Sequence, residues 1–471
     1  MKVLITGATG FIGKPLCRAL LFKGHDVVAL VRGVDEAREK LPYPMEFVSW
    51  DGSEKGLSDR TLDGVDAIVH LAGEPIMSKG WGKRWSEEQK ARILSSRINT
   101  AEAIIHKLQR LAESKRPKTF ISGSAVGFYG HRGDELLTES STPGTGFLSE
   151  VCQKWEGVTK PLEEMGVRRV IVRTGAVLGR EGGMLKALLP VFKAGMGGPV
   201  GDGKQWVSWI HVDDMIASLI YLLENEKARG VFNGVGPEPV TNRVFSQSLA
   251  KAVHRPALFT TPAFGLKAAL GEASVVVLAS NRVLPEKLER QGFQFRFKRL
   301  DDALKNLCEV DQLSGQKELY VEQWLPKSVD EIFPFFSDAE NLGELTPKFL
   351  DLKILSKSTP YLEAGTLIDY QMKIHGVPIH WQTRIEEWKP KQYFSDSQLK
   401  GPYKKWHHTH RFLPMKGGTL LTDRVLYQLP MGALGGLAAG WKVRGDVREI
   451  FKYRFKVISE RFGSSKKRES A

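Results

Sequence analysis

The chain opens on an unbroken apolar run, Val3-Leu4-Ile5, and similar runs recur at 26–31, 45–50, 67–71, 118–122 and 169–173. Runs without alternation suit strands buried on both faces, and the stretches between them, beginning with 14–23, carry helical spacing. Strands alternating with helices predict an α/β domain of the Rossmann type, a doubly wound parallel sheet covered on both sides. A different rhythm begins at Leu319. A short strand to Leu325 precedes a helix start capped by Ser328, and strand-like stretches follow at 350–358, 366–375, 378–388, 391–399, 405–413 and 418–429. Val377-Pro378 and Lys416-Gly417-Gly418 punctuate them as hairpins. The closing segment places Val447, Phe451, Phe455, Ile458 and Phe462 on one apolar helical stripe, so the second part is expected to be an α+β helix-grip domain, an antiparallel sheet holding a long helix. Periodicity lapses over 306–318, which reads as a linker between domains at 1–305 and 319–463. The polar tail 464–471 is expected to be disordered.

Length and charge narrow the picture. A chain of 471 residues with 42% hydrophobic content exceeds one core and fits two or three domains. No apolar run reaches the roughly 20 residues of a bilayer span, and the first strand begins too early to follow a signal peptide. Cys17, Cys152 and Cys308 show neither metal nor disulfide spacing, which suits a reducing compartment, so a cytoplasmic protein is expected. The net charge of +14 favours anionic partners, but no nucleic-acid motif accompanies it and no nucleic-acid partner is expected.

The first run leads into Thr6-Gly7-Ala8-Thr9-Gly10-Phe11-Ile12-Gly13. Gly7 allows a sharp turn, Gly10 lets a pyrophosphate approach the backbone, and Gly13 lets the helix pack on the strand. Helix-start amides then face the phosphates, so Thr6, Gly7, Thr9, Gly10, Phe11, Ile12 and Gly13 are candidate cofactor residues. The second strand ends at Arg32, where an acidic residue would suit the ribose hydroxyl of NAD and an arginine suits the 2′-phosphate of NADP. NADP is the expected cofactor. The fourth strand ends at Leu71 and runs into Ala72 and Gly73, small residues that let the cofactor near the backbone, so Leu71, Ala72 and Gly73 are candidate cofactor residues. The loop Trp81-Gly82-Lys83-Arg84-Trp85 joins aromatic and basic residues ahead of a Ser86 helix cap, and suits either an anionic substrate or helix packing.

The Gly-x-x-Gly-x-x-Gly spacing resembles the extended short-chain dehydrogenase/reductases, which include nucleotide-sugar epimerases. That resemblance implies that Asp51 sits beside the adenine, and that Ser124, ahead of Phe128-Tyr129-Gly130, bonds the substrate oxygen that is oxidised. Such enzymes then place a tyrosine and a lysine four residues apart, so that the lysine lowers the tyrosine pKa. Here the helix reads Gly146-Phe147-Leu148-Ser149-Glu150-Val151-Cys152-Gln153-Lys154-Trp155-Glu156 and holds no tyrosine. Tyr129 and Glu150 are the substitutes in reach, and Ser124 and Tyr129 are the candidate catalytic residues. With 174–179, 195–198, 201–214, 230–242, Gly271-Glu272 and Gly292-Phe293, the order is similar to an atypical epimerase branch lacking the Tyr/Lys pair.

The second domain resembles the START-like superfamily of polyketide cyclases and lipid-transfer proteins, through Pro326 to Phe336, Gly401-Pro402-Tyr403 and Trp406-His407-His408-Thr409-His410. That resemblance implies a cavity for an apolar ligand between sheet and helix. Trp406, His408, His410 and Phe412 point one way along their strand, but no placed carboxylate or cysteine completes a ligand set, so no metal is expected. The sequence thus reads as an NADP-binding oxidoreductase or epimerase acting on a small, nucleotide-sugar-like substrate, joined to an apolar-ligand domain. A non-catalytic NADP(H) sensor or a lipid or isoprenoid carrier is the alternative.

Overall fold

A computed structural model describes residues 1–77, 84–308, 316–430 and 432–463, the side chains of 432–440 excepted. Most of the expected linker and the whole expected tail lie outside these residues. The chain divides into two compact units, Met1–Lys40 with Met45–Glu309 and Leu41–Pro44 with Val310–Ala471.

The first unit is built on seven strands: β1 (Lys2–Thr6), β2 (Asp26–Val31), β3 (Glu46–Ser49), β4 (Ala67–His70), β5 (Thr119–Ala125), β6 (Arg168–Thr174) and β7 (Gly230–Gly234). They lie in the order β7-β6-β5-β4-β1-β2-β3, every neighbouring pair parallel. Val3, Leu4, Ile5, Ile68 and Phe120 are fully buried, which is why these strands read as continuous apolar runs. Leu4 sits in register between Val28 and Ile68. Strand order reverses between β1 and β4, and that reversal opens a crevice at the carboxyl ends of the strands where α/β sheets bind ligands. Around it stand α1 (Gly13–Phe22), α2 (Glu87–Arg110), α3 (Phe147–Val158) and α4 (Val212–Glu224). Ser86 caps α2 by accepting from the Gln89 amide. For α4 the sequence suggests Asp213 or Asp214 as cap, whereas the His211 ring takes the Asp213 amide at 3.0 Å. Asp214 is buried and accepts from the amides of Arg296 and Phe297, tying α4 to a distant loop.

The second unit is an antiparallel sheet of β8 (Gln316–Leu325), β9 (Lys353–Lys357), β10 (Leu367–Ile374), β11 (Val377–Lys389), β12 (Tyr393–Lys400), β13 (Lys405–Met415) and β14 (Gly418–Gln428). Its order is β8-β14-β13-β12-β11-β10-β9. The β10–β11 turn is made by His375 and Gly376, both at positive φ, so Val377 and Pro378 belong to the strand and Pro378 pairs with Lys373. Ser328 and Glu331 form a reciprocal capping box on α5 (Val329–Phe336). The long helix α6 (Gly432–Phe462) buries Val447, Phe451 and Ile458 against sheet residues Val425, Tyr427, Phe412 and Leu421. Phe455 leaves the expected stripe: it is 37% exposed, and Arg454, 8% exposed, turns inward instead. A buried Asp423 carboxylate near its guanidinium, 3.8 Å from Nε, explains the exchange.

Candidate functional site

The glycine turn forms a tight cradle. Gly7 has φ of 71°, and a Cβ there would stand 2.8 Å from the Leu71 carbonyl oxygen. At Gly13 a Cβ would come within 2.1 Å of the Gly7 oxygen, while at Gly10 it would meet only that oxygen, at 3.0 Å, and otherwise open space. Thr9 and Gly10 are exposed and Ile12 is half-buried. No side chain caps α1, and because the Lys14 amide donates to the Gly10 carbonyl and Pro15 has no N–H, the amides of Phe11 to Gly13 are the ones placed to meet an anion. This arrangement fits a dinucleotide pyrophosphate. Thr6 is buried, and its Oγ1 accepts from the amides of Leu71 and Ala72, pinning the ends of β1 and β4 together. The Phe11 ring fills the space that a Cβ would need at Gly179 and Gly182, which holds that loop over the turn.

Arg32 is exposed immediately after β2. Asp51 follows β3, and its Oδ1 accepts from the Ser53 amide at 2.8 Å, a bond that holds its carboxyl below the usual range. It borders an open cleft of about 470 Å³ walled on the other side by Ser96, Asn99, Thr100 and Ala103 of α2. Leu71 and Ala72 are half-buried and Gly73 is exposed. A Cβ at Gly73 would stand 3.0 Å from the Arg97 guanidinium carbon, so the glycine makes room for a buried cation that lies over Trp155. Two buried nitrogens nearby, His70 Nδ1 and Trp155 Nε1, have no hydrogen-bond partner, and burial pushes the His70 imidazole down to about 4.

The candidate catalytic residues meet in one network. Ser124 on β5, Arg173 on β6 and Asn233 on β7 are register partners across three strands. Ser124 Oγ donates to Glu156 Oε1 at 2.7 Å. Arg173 grips the same carboxylate with both ends of its fork, Nε to Oε1 and Nη2 to Oε2, each at 2.9 Å. Its Nη1 donates to the Tyr129 hydroxyl at 3.0 Å, and that hydroxyl donates to Asn233 Oδ1 at 2.7 Å. Tyr129 is fully buried, and burial raises its pKa above the ordinary phenol value. The Tyr129 hydroxyl also lies 3.0 Å from the Thr138 carbonyl, so both hydroxyls sit among protein acceptors. Glu150 and Lys154 are exposed on α3. At the i, i+4 spacing the helix instead pairs Gln153 with Ser149, whose Oγ donates to the Phe128 carbonyl at 2.7 Å.

Sequence reasoning passes over Glu156 and Arg173. A signal existed: Glu156 shares the buried face of α3 with Ser149, Cys152 and Trp155, and Arg173 ends the apolar run Val170-Ile171-Val172. Of the aromatic and basic loop, Trp81, Gly82 and Lys83 lie outside the described residues. Arg84 donates to the Ala268 carbonyl, and Trp85 donates to the Ile76 carbonyl while packing edge-on against Phe147.

In the second unit the face of the sheet beneath α6 is lined by aromatics. Trp381, Tyr403, Trp406 and Tyr427 contact one another with ring centroids 4.9 to 6.1 Å apart. A further pocket of about 210 Å³ lies between β8, β14 and α6, bordered by Lys317, Arg444 and Arg448. His408 and His410 are buried on the same face, and two carboxylates, Asp396 and Asp423, stand beside them. The expectation of a histidine pair without a carboxylate therefore fails, because the acids arrive from neighbouring strands.

Residues 3–234 match the NAD dependent epimerase/dehydratase family, 261–307 a domain of unknown function, and 325–456 the family of polyketide cyclase / dehydrase and lipid transport. The chain belongs to the epimerase family and carries a START-like domain after it. It is 37% identical over 309 residues to the chloroplastic epimerase family protein SDR39U1 homolog of Arabidopsis thaliana, a match covering 66% of this chain and 87% of that one. It is also 37% identical over 308 residues to epimerase family protein YfhF of Bacillus subtilis, covering 65% and 98%. Among solved structures, human epimerase family protein SDR39U1 with NADPH is 32% identical with a TM-score of 0.59, covering 66% of this chain and 99% of that one. A nucleoside-diphosphate sugar epimerase from Corynebacterium glutamicum is 33% identical with a TM-score of 0.52, covering 65% and 58%. Among the described residues no helix is long and apolar enough to cross a membrane.

Proposed function

We propose that the first unit is an NADP(H)-binding module in which the proton-transfer site of the sugar epimerases has become a structural ion-pair network, and that the second unit carries an apolar small molecule. One observation carries the first half: Ser124, Glu156, Arg173 and Tyr129 hydrogen-bond one another within the sheet's carboxyl edge, and helix α3, where the sugar epimerases place their tyrosine and lysine, holds no tyrosine. Bound dinucleotide would supply a hydride-transfer centre. This chain's residues would seat its pyrophosphate at Gly7 to Gly13, place its adenosine by Asp51 and meet its 2′-phosphate with Arg32. The NADPH carried by the human relative supports the choice of NADP over NAD. The aromatic face beneath α6 and the lipid-transport family match support an apolar ligand in the second unit, a lipid or isoprenoid by chemistry.

Nicotinamide fluorescence titration and single-turnover absorbance test this reading together. NADPH is expected to bind stoichiometrically, and UDP-sugars added to the NADP-loaded protein are expected to leave the nicotinamide absorbance unchanged. Glu156→Gln is expected to alter NADPH affinity little, because it lies outside the phosphate cradle. Reduction of bound NADP by a UDP-sugar, slowed in Ser124→Ala and Tyr129→Phe, would restore the epimerase reading with those residues in catalytic roles.

A further inference from the structure

Three adjacent strands of the second unit, β12, β13 and β14, bring two histidines and two aspartates together. Asp396 on β12 is the register partner of His408 on β13, and His410, two residues on, is the partner of Asp423 on β14. Period-two alternation puts both histidines on the buried face under α6. Asp423 Oδ1 lies 3.1 Å from His408 Nε2 and 2.7 Å from His410 Nδ1. An ionised carboxylate only accepts, so its contact with His408 requires a hydrogen on Nε2. Arg454 stands on the far side of this carboxylate, with Nε 3.8 Å from Oδ2 and Nη2 3.2 Å from His410 Nδ1. A guanidinium only donates, so His410 Nδ1 faces both a donor and an acceptor.

The second ring nitrogens, His408 Nδ1 and His410 Nε2, each lie 3.8 Å from Asp396 Oδ2. Asp396, His408 and His410 can each offer one ligand atom, all within 4.8 Å of one another. A separation of 3.8 Å is too long for a hydrogen bond but suits ligands around one ion. Asp423 supplies a carboxylate beside both rings, the arrangement by which metal-binding histidines are oriented.

We propose that Asp396, His408 and His410 bind a divalent first-row transition ion, with Asp423 positioning both imidazoles and Arg454 holding Asp423. Two nitrogens and one oxygen favour zinc, cobalt or iron over magnesium or calcium. Three protein ligands leave at least one coordination position open on the aromatic face of the sheet, where a water or an oxygen of the apolar ligand completes the shell.

The test uses the full chain, purified without a histidine tag and stripped with chelator. Titration with Co²⁺ alone is expected to give visible absorption bands of a low-symmetry site saturating at one ion per chain, with Zn²⁺ displacing them. Asp396→Asn, which preserves shape, and His408→Ala are expected to weaken affinity more than about 100-fold, and Asp423→Asn about 10–100-fold through lost orientation. His380→Ala, an exposed histidine paired with Asp369, is expected to change nothing. Thermal melts of the stripped variants check folding, and Zn²⁺ is expected to raise the melting temperature of the unmodified chain and not that of Asp396→Asn. Absence of saturable binding, or equal affinity in Asp396→Asn and the unmodified chain, overturns the site.

Discussion

At the scale of single residues, Arg32 and His70 carry separable consequences. Arg32 stands exposed where the 2′-phosphate of NADP would lie, and Arg32→Ala is expected to lower NADPH affinity about tenfold or more while leaving NADH affinity nearly unchanged, since the lost contact is charge-assisted. Parallel fluorescence titrations with the two cofactors measure it, and equal losses for both would refute the assignment. His70 acts on stability instead. Burial lowers its pKa from 6.5 to about 4, so the unfolded chain binds more protons than the folded one between those values. The folded state therefore holds its full advantage above about pH 6.5 and loses it as pH falls towards 4, by about 3 kcal/mol at 1.36 kcal/mol per unit. Urea unfolding at pH 7 and pH 4.5 is expected to show this loss, and His70→Met to reduce it. The Glu156–Arg173 pair was hidden for a residue-scale reason: a charge on an apolar face is legible, but its partner is named only when helix and strand meet.

At the scale of elements, the strand–turn–helix from Lys2 to Phe22 is determined almost wholly by local chemistry. Its glycines are required by close backbone approach, and the strictest position is Gly13. Gly13→Ala would drive a methyl into the Gly7 oxygen, so NADPH binding is expected to be lost and the melting temperature of the first unit lowered. Retained affinity in a calorimetric titration would show that the turn relaxes more than its geometry allows. Helix α6 shows the converse. Its apolar spacing announces a helix, yet the inward position next to Phe455 goes to Arg454, because Asp423 lies there to receive a guanidinium. A stripe of five apolar residues describes the helix without describing its partner.

At the scale of the molecule, each unit has its own sheet and its own buried cluster: Leu4, Ile68 and Phe120 belong to one, and Phe333, Phe412 and Ile458 to the other. Independent folding is proposed on that ground, and fragments 1–308 and 316–471 are each expected to give a cooperative thermal transition. Circular dichroism melts of the two fragments check it. A fragment that melts without cooperativity, while the full chain melts in one step, would mean that the cores depend on each other.

The sequence by itself determined the elements and the cofactor cradle. Unbroken apolar runs suit strands covered on both faces, Gly7, Gly10 and Gly13 answer steric needs within a dozen residues, and strict alternation around His408 and His410 puts both on one face. Those signals are local, and local geometry suffices to read them. Tertiary structure alone decided which groups share a site. The path from Ser124 to Glu156 crosses 32 residues and joins a strand to a helix, and the meeting of Asp396 with His408 depends on cross-strand register, set by the loop between β12 and β13. A slip of one residue there would turn Asp396 to the opposite face and leave the histidines without their carboxylate, so the alternation that reveals a face cannot reveal what is paired across it.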